Sequence, residues 1–326
     1  MGIKKSFFLV LVLSLNCLAY KNIYQIKRAV TYETTGGRFG DNLLSYIHAK
    51  WISYKYNLPL LYRPFIYSNH LHLHKAEYRY TNPIKKKFKK ILSLDACKTI
   101  DPRNNSTLYF VPYFPESKWE LKNCISFAGD TWYHFDVNWN DKAFIDLLRS
   151  LISPIHPAPI MELPMDRITV AVHSRKGGNH DTPEALLGFP LKFLPDDFLI
   201  NQIKELYLFL NKYPLYVYVF TDDNNPIAIA DKFKNSLPEC DIQFDCRKQG
   251  NSDTTNVLED FFALQQFDCL IHSESNFSFI PSKLFDYMIS IYPDSFHKGY
   301  KKIIYDNINF TVNYDHPKFE YITPIR

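Results

Sequence analysis

The chain alternates short apolar runs with longer amphipathic ones. Its clearest strand is "RITVAVH" (167–173), where apolar and polar positions alternate until the run ends in His173-Ser174-Arg175-Lys176 and two glycines, Gly177 and Gly178. Around it the pattern repeats. "PDDFLINQIKELYLFLNKY" (195–213) has helical spacing with Pro195 near its start, and "LYVYVFT" (215–221) reads as a second strand. "TNVLEDFFALQQF" (255–267) predicts a helix in which Asn256 and Glu259 have capping-box spacing. "DCLIHS" (268–273) predicts a third strand, "NFSFIPSKLFDYM" (276–288) a helix, and "KKIIY" (301–305) a late strand. Strands that alternate with helices in this way predict a doubly wound α/β domain.

The first half opens similarly. In "NLLSYIHAKWISYKYN" (42–57) Leu43, Leu44, Ile47, Trp51 and Ile52 fall on one helical face, and "LPLLY" (58–62) follows as a strand. Strand, glycine turn, helix, strand is the order of a parallel crossover. Between the halves, "ISPIHPAPIMELPMD" (152–166) carries Pro154, Pro157, Pro159 and Pro164, a density that neither a helix nor a central strand accepts. The expected division is an N-terminal domain over 20–153, a hinge over 154–166 and a C-terminal domain over 167–326.

Residues 1–19 change the picture of where the chain works. Lys4 and Lys5 precede an apolar run over Phe7–Leu15, and Cys17-Leu18-Ala19 supplies small residues for cleavage after Ala19. The run is short for a span, so a signal peptide and an exported or secretory-pathway location are expected, with a retained membrane anchor as the alternative. Export permits disulfides; Cys240 and Cys246 flank a short loop and suggest one, whereas Cys269 lies in an apolar run and reads as a core thiol.

The remaining composition mainly excludes. The 326 residues are 46% hydrophobic and 22% charged, enough for a sizeable core, and the net charge of +4 is too small to argue for a nucleic-acid surface. His70, His72 and His74 alternate, which on a strand would put them on one face, yet no acid or cysteine completes a metal set. "KKKFKK" (85–90) reads as a solvated face.

Ligands of open α/β sheets bind beyond the carboxyl ends of the strands. Three predicted strands of the second half end in polar clusters: His173 to Gly178, Thr221 to Asn224, and His272 to Asn276. Arg175 and Lys176 suit a phosphate, Ser275 stands where a helix begins, and Asp222 and Asp223 suit hydroxyls of a ribose or the edge of a base.

These residues resemble the fucosyltransferase superfamily of GT-B glycosyltransferases. "GGRFGDN" (36–42) is similar to that family's Gly-Arg-Phe-Gly-Asn-Gln turn, and "HSRKGG" (173–178) to its His-x-Arg-Arg-x-Asp motif. "VFTDDNNP" (219–226) resembles its Ser/Thr-Asp-Asp segment, and "EDFFALQQFDCLIHSESNFSFIPSKL" (259–284) its last motif. The resemblance implies two Rossmann-like domains facing across a cleft, GDP-fucose as donor, inversion at the sugar carbon, a glycan or glycoprotein acceptor and no metal. It places Arg175 at the donor's β-phosphate and Arg38 at the donor or the transition state, and the catalytic candidates are these two with Asp41. Donor contacts fall to Gly37, Gly40, Asn42, His173, Lys176, Asp222, Asp223, Ser275, Asn276 and Ser278. The family's second arginine is Lys176 here, its aspartate falls on Gly178, and Asp41 replaces an asparagine. Asp41 is thereby a candidate general base, beside its plainer role as an acid at a helix start. Two alternatives stand beside this: a carbohydrate- or nucleotide-binding protein without turnover, and a GT-B transferase that uses another nucleotide sugar.

Overall fold

The computed structural model describes residues 26–94, 100–101, 105–113, 137–177, 188–252, 254–299 and 302–322. Residues 1–19, Cys97, Cys124 and Gly178 lie outside them. The described chain divides into two compact units, one up to residue 156 and one from residue 157. Among the described residues no helix is long and apolar enough to cross a membrane.

In the first unit, β1 (Arg28–Tyr32) pairs in parallel with β5 (Thr107–Val111), which pairs with β4 (Lys90–Ser93). On the other side of β1 a parallel bridge joins Val30 to Leu60, leading into β2 (Leu61–Tyr62), which pairs in parallel with β3 (Tyr78–Arg79). The crossover from β1 to β2 is α1 (Phe39–Lys55), a 17-residue helix with Asp41 in its first turn and Lys55 in its last, each sign favoured by the helix dipole at that end. Short helices α2 (Leu73–Ala76) and α3 (Asn82–Lys85) lie between β2 and β4, and α4 (Lys142–Ile152) closes the unit. Asp141 caps α4 by accepting from the Phe144 amide at 3.1 Å. The half-buried Glu77 accepts from Tyr46 at 3.0 Å and pairs with Lys50 at 2.7 Å, which ties α1 to the segment before β3.

The second unit is built on a six-stranded sheet in the order β11-β10-β9-β6-β7-β8. Here β6 is Ile168–Ser174, β7 Leu215–Thr221, β8 Ile242–Cys246, β9 Cys269–Ile271, β10 Ile289–Gly299 and β11 Lys302–Val312. All pairings are parallel except that of β10 with β11. Helices α5 (Asp196–Phe209), α6 (Pro226–Ser236), α7 (Val257–Ala263) and α8 (Asn276–Leu284) fall between the strands. One face of the sheet presents Val170, Val172, Val217, Val219 and Ile271 to Leu199, Ile203 and Phe233; the other presents Ala171, Tyr218 and Leu270 to Ala263, Leu264 and Phe267. Both faces are covered, so every residue of β6 and β7 is buried, as a parallel sheet requires. At the amino end of β9, Asp268 accepts from the Thr169 amide (2.8 Å), the Thr169 hydroxyl (2.7 Å) and Lys318 (2.6 Å), which fastens the chain's last turn to the end of the sheet away from the polar clusters.

Four expectations are corrected. Asn256 does not form a capping box with Glu259: its backbone is left-handed (φ 59°) and its side chain donates instead to the Gly250 carbonyl at 3.0 Å. Cys240 and Cys246 are free thiols, because residues 242–246 run as an extended strand at about 3.3 Å per residue, well past the reach of a disulfide. His70 ends a 3-10 turn (Ser68–His70) and His74 sits in α2, so the three histidines share no strand face. No group of His, Cys, Asp or Glu suited to a metal forms among the described residues. The helix predicted over 276–288 stops at Leu284, where Phe285 turns extended, and the chain enters β10.

Candidate functional site

β9, β6 and β7 are parallel neighbours, so the three polar clusters lie along one carboxyl rim of the second unit's sheet. Arg175 follows β6 directly. Its guanidinium donates to the Ser275 hydroxyl at 3.4 Å and stands over the Phe193 ring at 4.9 Å. The contact with Ser275 is long, so it positions the guanidinium more than it binds it. The packing on Phe193 is a cation–π arrangement and holds the plane of the fork. Two residues a hundred positions apart are thereby brought to the start of α8.

Ser275 is the residue before α8 and is fully buried, yet its hydroxyl does not cap the helix. Its carbonyl accepts from the amides of Ser278 (3.0 Å) and Phe279 (2.8 Å). Asn276 is the first helical residue, and the buried Ser278 hydroxyl turns inward, donating to the Ser275 carbonyl at 3.3 Å. A nine-residue helix that starts beside a guanidinium joins two positive poles, the amide end of the helix and the side chain. His173 is buried one position before the end of β6, with its ring 5.5 Å from that of Phe277 in the first turn of α8.

His272, the residue after β9, is a neutral imidazole. Burial pushes its pKa down to about 3. Its Nδ1 lies 2.8 Å from the Ser273 carbonyl, which only accepts, so Nδ1 carries the proton and Nε2 is the bare nitrogen.

Lys176 is held at both ends. Its amide donates to Asp222 at 2.7 Å, and its ammonium pairs with Asp196 of α5, which also takes Lys232 of α6 at 2.8 Å. Burial would raise the Asp196 pKa, but the two ammoniums outweigh it and hold the carboxyl below its usual value. Asp223 accepts from the Asn225 amide at 2.7 Å, and its carbonyl takes a bond from Asn251, which donates to the Thr221 carbonyl at 2.9 Å as well. The acids Asp222 and Asp223 thus shape the loop after β7.

The turn over 36–42 belongs to the first unit. Asn42 closes it from below: its Oδ1 accepts from the Thr35 amide at 2.9 Å, and its Nδ2 donates to the carbonyls of Gly37 (2.9 Å) and Arg38 (3.2 Å). Arg38 is half-buried and stands as the residue before α1; Gly40 is buried in the first turn. The carboxylate of Asp41 lies over Gly37. A Cβ at Gly37 would fall 2.2 Å from Asp41 Oδ2 and 2.9 Å from its Cβ, whereas one at Gly36 would meet nothing within 4 Å. Gly37→Ala is therefore expected to displace Asp41 and lower Tm, while Gly36→Ala stays near wild type; thermal unfolding of the pair checks this.

One group at the rim has no counterpart in the sequence reading. Arg247 follows β8 and pairs with Asp260 at 2.5 Å and Glu259 at 3.2 Å, both on α7. The signal was thin: a lone arginine after a strand that the pattern did not disclose. Asp260 is the partner that titrates. Burial raises its carboxyl from 3.8 to about 6, against the pull of Arg247. The folded chain therefore binds this proton more tightly than the unfolded chain. The stability it contributes is full below about pH 4 and is lost as pH rises through about 6. Asp260→Asn is expected to flatten the dependence of Tm on pH across that window, measured by thermal unfolding from about pH 4 to about pH 7.

No family model matches the sequence, and no curated protein matches it. Among solved structures the chain is similar to a mutant of Arabidopsis thaliana FUT1 in complex with GDP, at TM-score 0.49 and 10% identity, over 82% of this chain and 70% of that one. It is similar to POFUT1 in complex with GDP-fucose at TM-score 0.40 and 12% identity, over 80% of this chain and 94% of that one. It is also similar to NodZ alpha-1,6-fucosyltransferase soaked with GDP-fucose, at TM-score 0.44 and 12% identity, over 89% of this chain and all of that one. These likenesses are to fucosyltransferases.

Proposed function

We propose that the chain is a nucleotide-sugar-dependent glycosyltransferase on a two-domain GT-B plan. Its reaction is the metal-independent, inverting transfer of fucose from GDP-fucose to a glycan or protein acceptor. The observation that carries the proposal is Arg175, placed against Ser275 at the start of α8.

Transfer breaks the bond between the sugar carbon and the β-phosphate oxygen, and GDP leaves with the electron pair. Negative charge therefore grows on the diphosphate, and catalysis is stabilisation of that charge. A guanidinium makes the bidentate contact that a phosphate suits, and the helix start adds backbone donors. His173, Asn276 and Ser278 line the same end of the sheet and are assigned to the donor, as are Lys176, Asp222 and Asp223. In the first unit, the Asp41 carboxylate takes the acceptor's hydroxyl proton as the new bond to the sugar carbon forms. Arg38 is assigned to the departing charge, and Gly37, Gly40 and Asn42 hold the turn on which Arg38 and Asp41 are displayed. The leader-like residues 1–19 support an exported or secretory-pathway location. Calorimetric titration with guanine and uracil nucleotides, with and without magnesium, tests the donor assignment.

A further inference from the structure

One buried group at the rim has no part in the roles above: His272, directly after β9. Val172 of β6 and Ile271 of β9 are register partners, so His173 and His272 follow side by side at the carboxyl ends of the two strands. The backbone of His272 is fixed from β10, since its amide donates to the Ile291 carbonyl at 2.9 Å. Its ring is fixed from the same strand. It stacks on Tyr292, with centroids 4.9 Å and planes 29° apart, and the Lys283 ammonium stands 5.7 Å from that tyrosine ring. Held in this way, the imidazole directs its Nδ1–H at the Ser273 carbonyl, 2.8 Å away.

Ser273 is where the chain leaves the sheet and turns towards α8. The peptide unit that joins it to Glu274 is pinned at both poles. Its carbonyl takes the imidazole N–H, and its amide, that of Glu274, donates to the Leu191 carbonyl at 2.9 Å. A peptide unit is planar, so fixing both poles fixes the direction in which the next residue departs. That residue is Ser275, whose amide donates to the Ser273 hydroxyl at 3.3 Å and whose hydroxyl meets the Arg175 guanidinium at 3.4 Å. The line from Tyr292 through His272 and the 273–274 peptide thus ends at Ser275, where α8 begins.

A residue kept only for packing is a poor match to this arrangement. Among the described residues the His272 Nε2 is buried with no hydrogen-bond partner, and an unpaired buried polar atom costs stability. An apolar side chain would avoid that cost but could not hold the peptide. What the imidazole adds is one N–H, and that N–H goes to the Ser273 carbonyl. We propose that His272 is a positioning residue of the donor site: its Nδ1–H holds the 273–274 peptide so that Ser275 and the start of α8 stand beside Arg175 to receive a diphosphate. This rests on the nucleotide-sugar reading above and adds a residue to which that reading gives no role.

Asparagine and glutamine divide the two ring nitrogens between them. The asparagine amide nitrogen lies at the same bond count from Cα as Nδ1, the glutamine one at that of Nε2. In calorimetric titration of the full chain with GDP, His272→Asn is expected to stay within about threefold of wild-type affinity, while His272→Leu and His272→Gln lose about tenfold or more. Packing alone predicts the reverse order, with leucine retaining affinity and the smaller, polar asparagine losing it. That order, or equal affinity in all three, overturns the proposal. Thermal unfolding checks each fold. Tyr292 gives a second test that leaves position 272 intact, and it is only half-buried. Tyr292→Phe keeps the stack and should keep the affinity, whereas Tyr292→Leu frees the imidazole and should weaken GDP binding by about threefold or more; equal affinity in the two overturns the proposal. A wild-type chain that binds no GDP sinks the nucleotide-sugar reading and this role with it. A wild-type chain that binds GDP, with the variants in the wrong order, sinks the role of His272 alone.

Discussion

Replacing Arg175 with lysine should weaken GDP binding or turnover by about tenfold or more, with the fold intact. The expectation follows from geometry rather than charge, since lysine keeps the charge. At position 175 the guanidinium is oriented by the Phe193 ring at 4.9 Å and the Ser275 hydroxyl at 3.4 Å. An ammonium has no planar fork to orient and makes a point contact with a phosphate. Losing one charge-assisted hydrogen bond of about 1.5–3 kcal/mol corresponds to roughly one to two powers of ten. Arg175→Ala should cost more, because charge and fork go together. The measurement is nucleotide affinity by calorimetry beside kcat for transfer, with circular dichroism as the folding control. Unchanged values for the lysine variant remove Arg175 from the site and leave it a surface residue packed on Phe193.

Asp41→Asn is expected to separate chemistry from binding. If the carboxylate takes the acceptor's proton, turnover falls by about 10²–10⁴ while GDP affinity holds. The plainer role predicts something else. An acid in the first turn of α1 favours the helix dipole by about 0.3–1 kcal/mol, so its loss would shift Tm a little and leave kcat alone. The asparagine fits the same space over Gly37, which keeps the comparison clean. A kcat that persists at full rate with a small drop in Tm makes Asp41 a helix residue only.

Sequence pattern disclosed the parts of this fold that are locally determined and hid those set by long-range pairing. The strand over 167–173 and the strand over 215–221 were legible because buried parallel strands are dense in Val, Tyr and Phe. β10 was not, because Pro293 argues against a strand; the chain accommodates it beside a break in register with β11, between Pro293 and Ser295. β8 was missed because the two cysteines around it suggested a loop, and α6 because Asp231, Lys232 and Lys234 interrupt a short apolar stripe. Asn256 shows the limit of spacing: the residues of a capping box are present, but the left-handed backbone at 256 turns the side chain towards Gly250 instead.

The candidate site divides in the same way. Arg175 and Ser275 were legible because each ends or follows a strand, and adjacency of β6 and β9 brings them together. The pairing of Lys176 with Asp196 was not, since α5 approaches from a distant stretch of chain. Nor was Arg247, whose role depends on a strand without a clear signal and on two acids of α7.

The central claim is that this rim holds a guanine nucleotide sugar without a metal. Calorimetric titration of the purified chain with GDP, GDP-fucose, UDP and a UDP-sugar, in EDTA and again in magnesium, tests it most directly. GDP and GDP-fucose are expected to bind in preference to the uracil nucleotides, with the same affinity in both buffers. Binding of none of them, preference for uracil, or binding only with magnesium would contradict it.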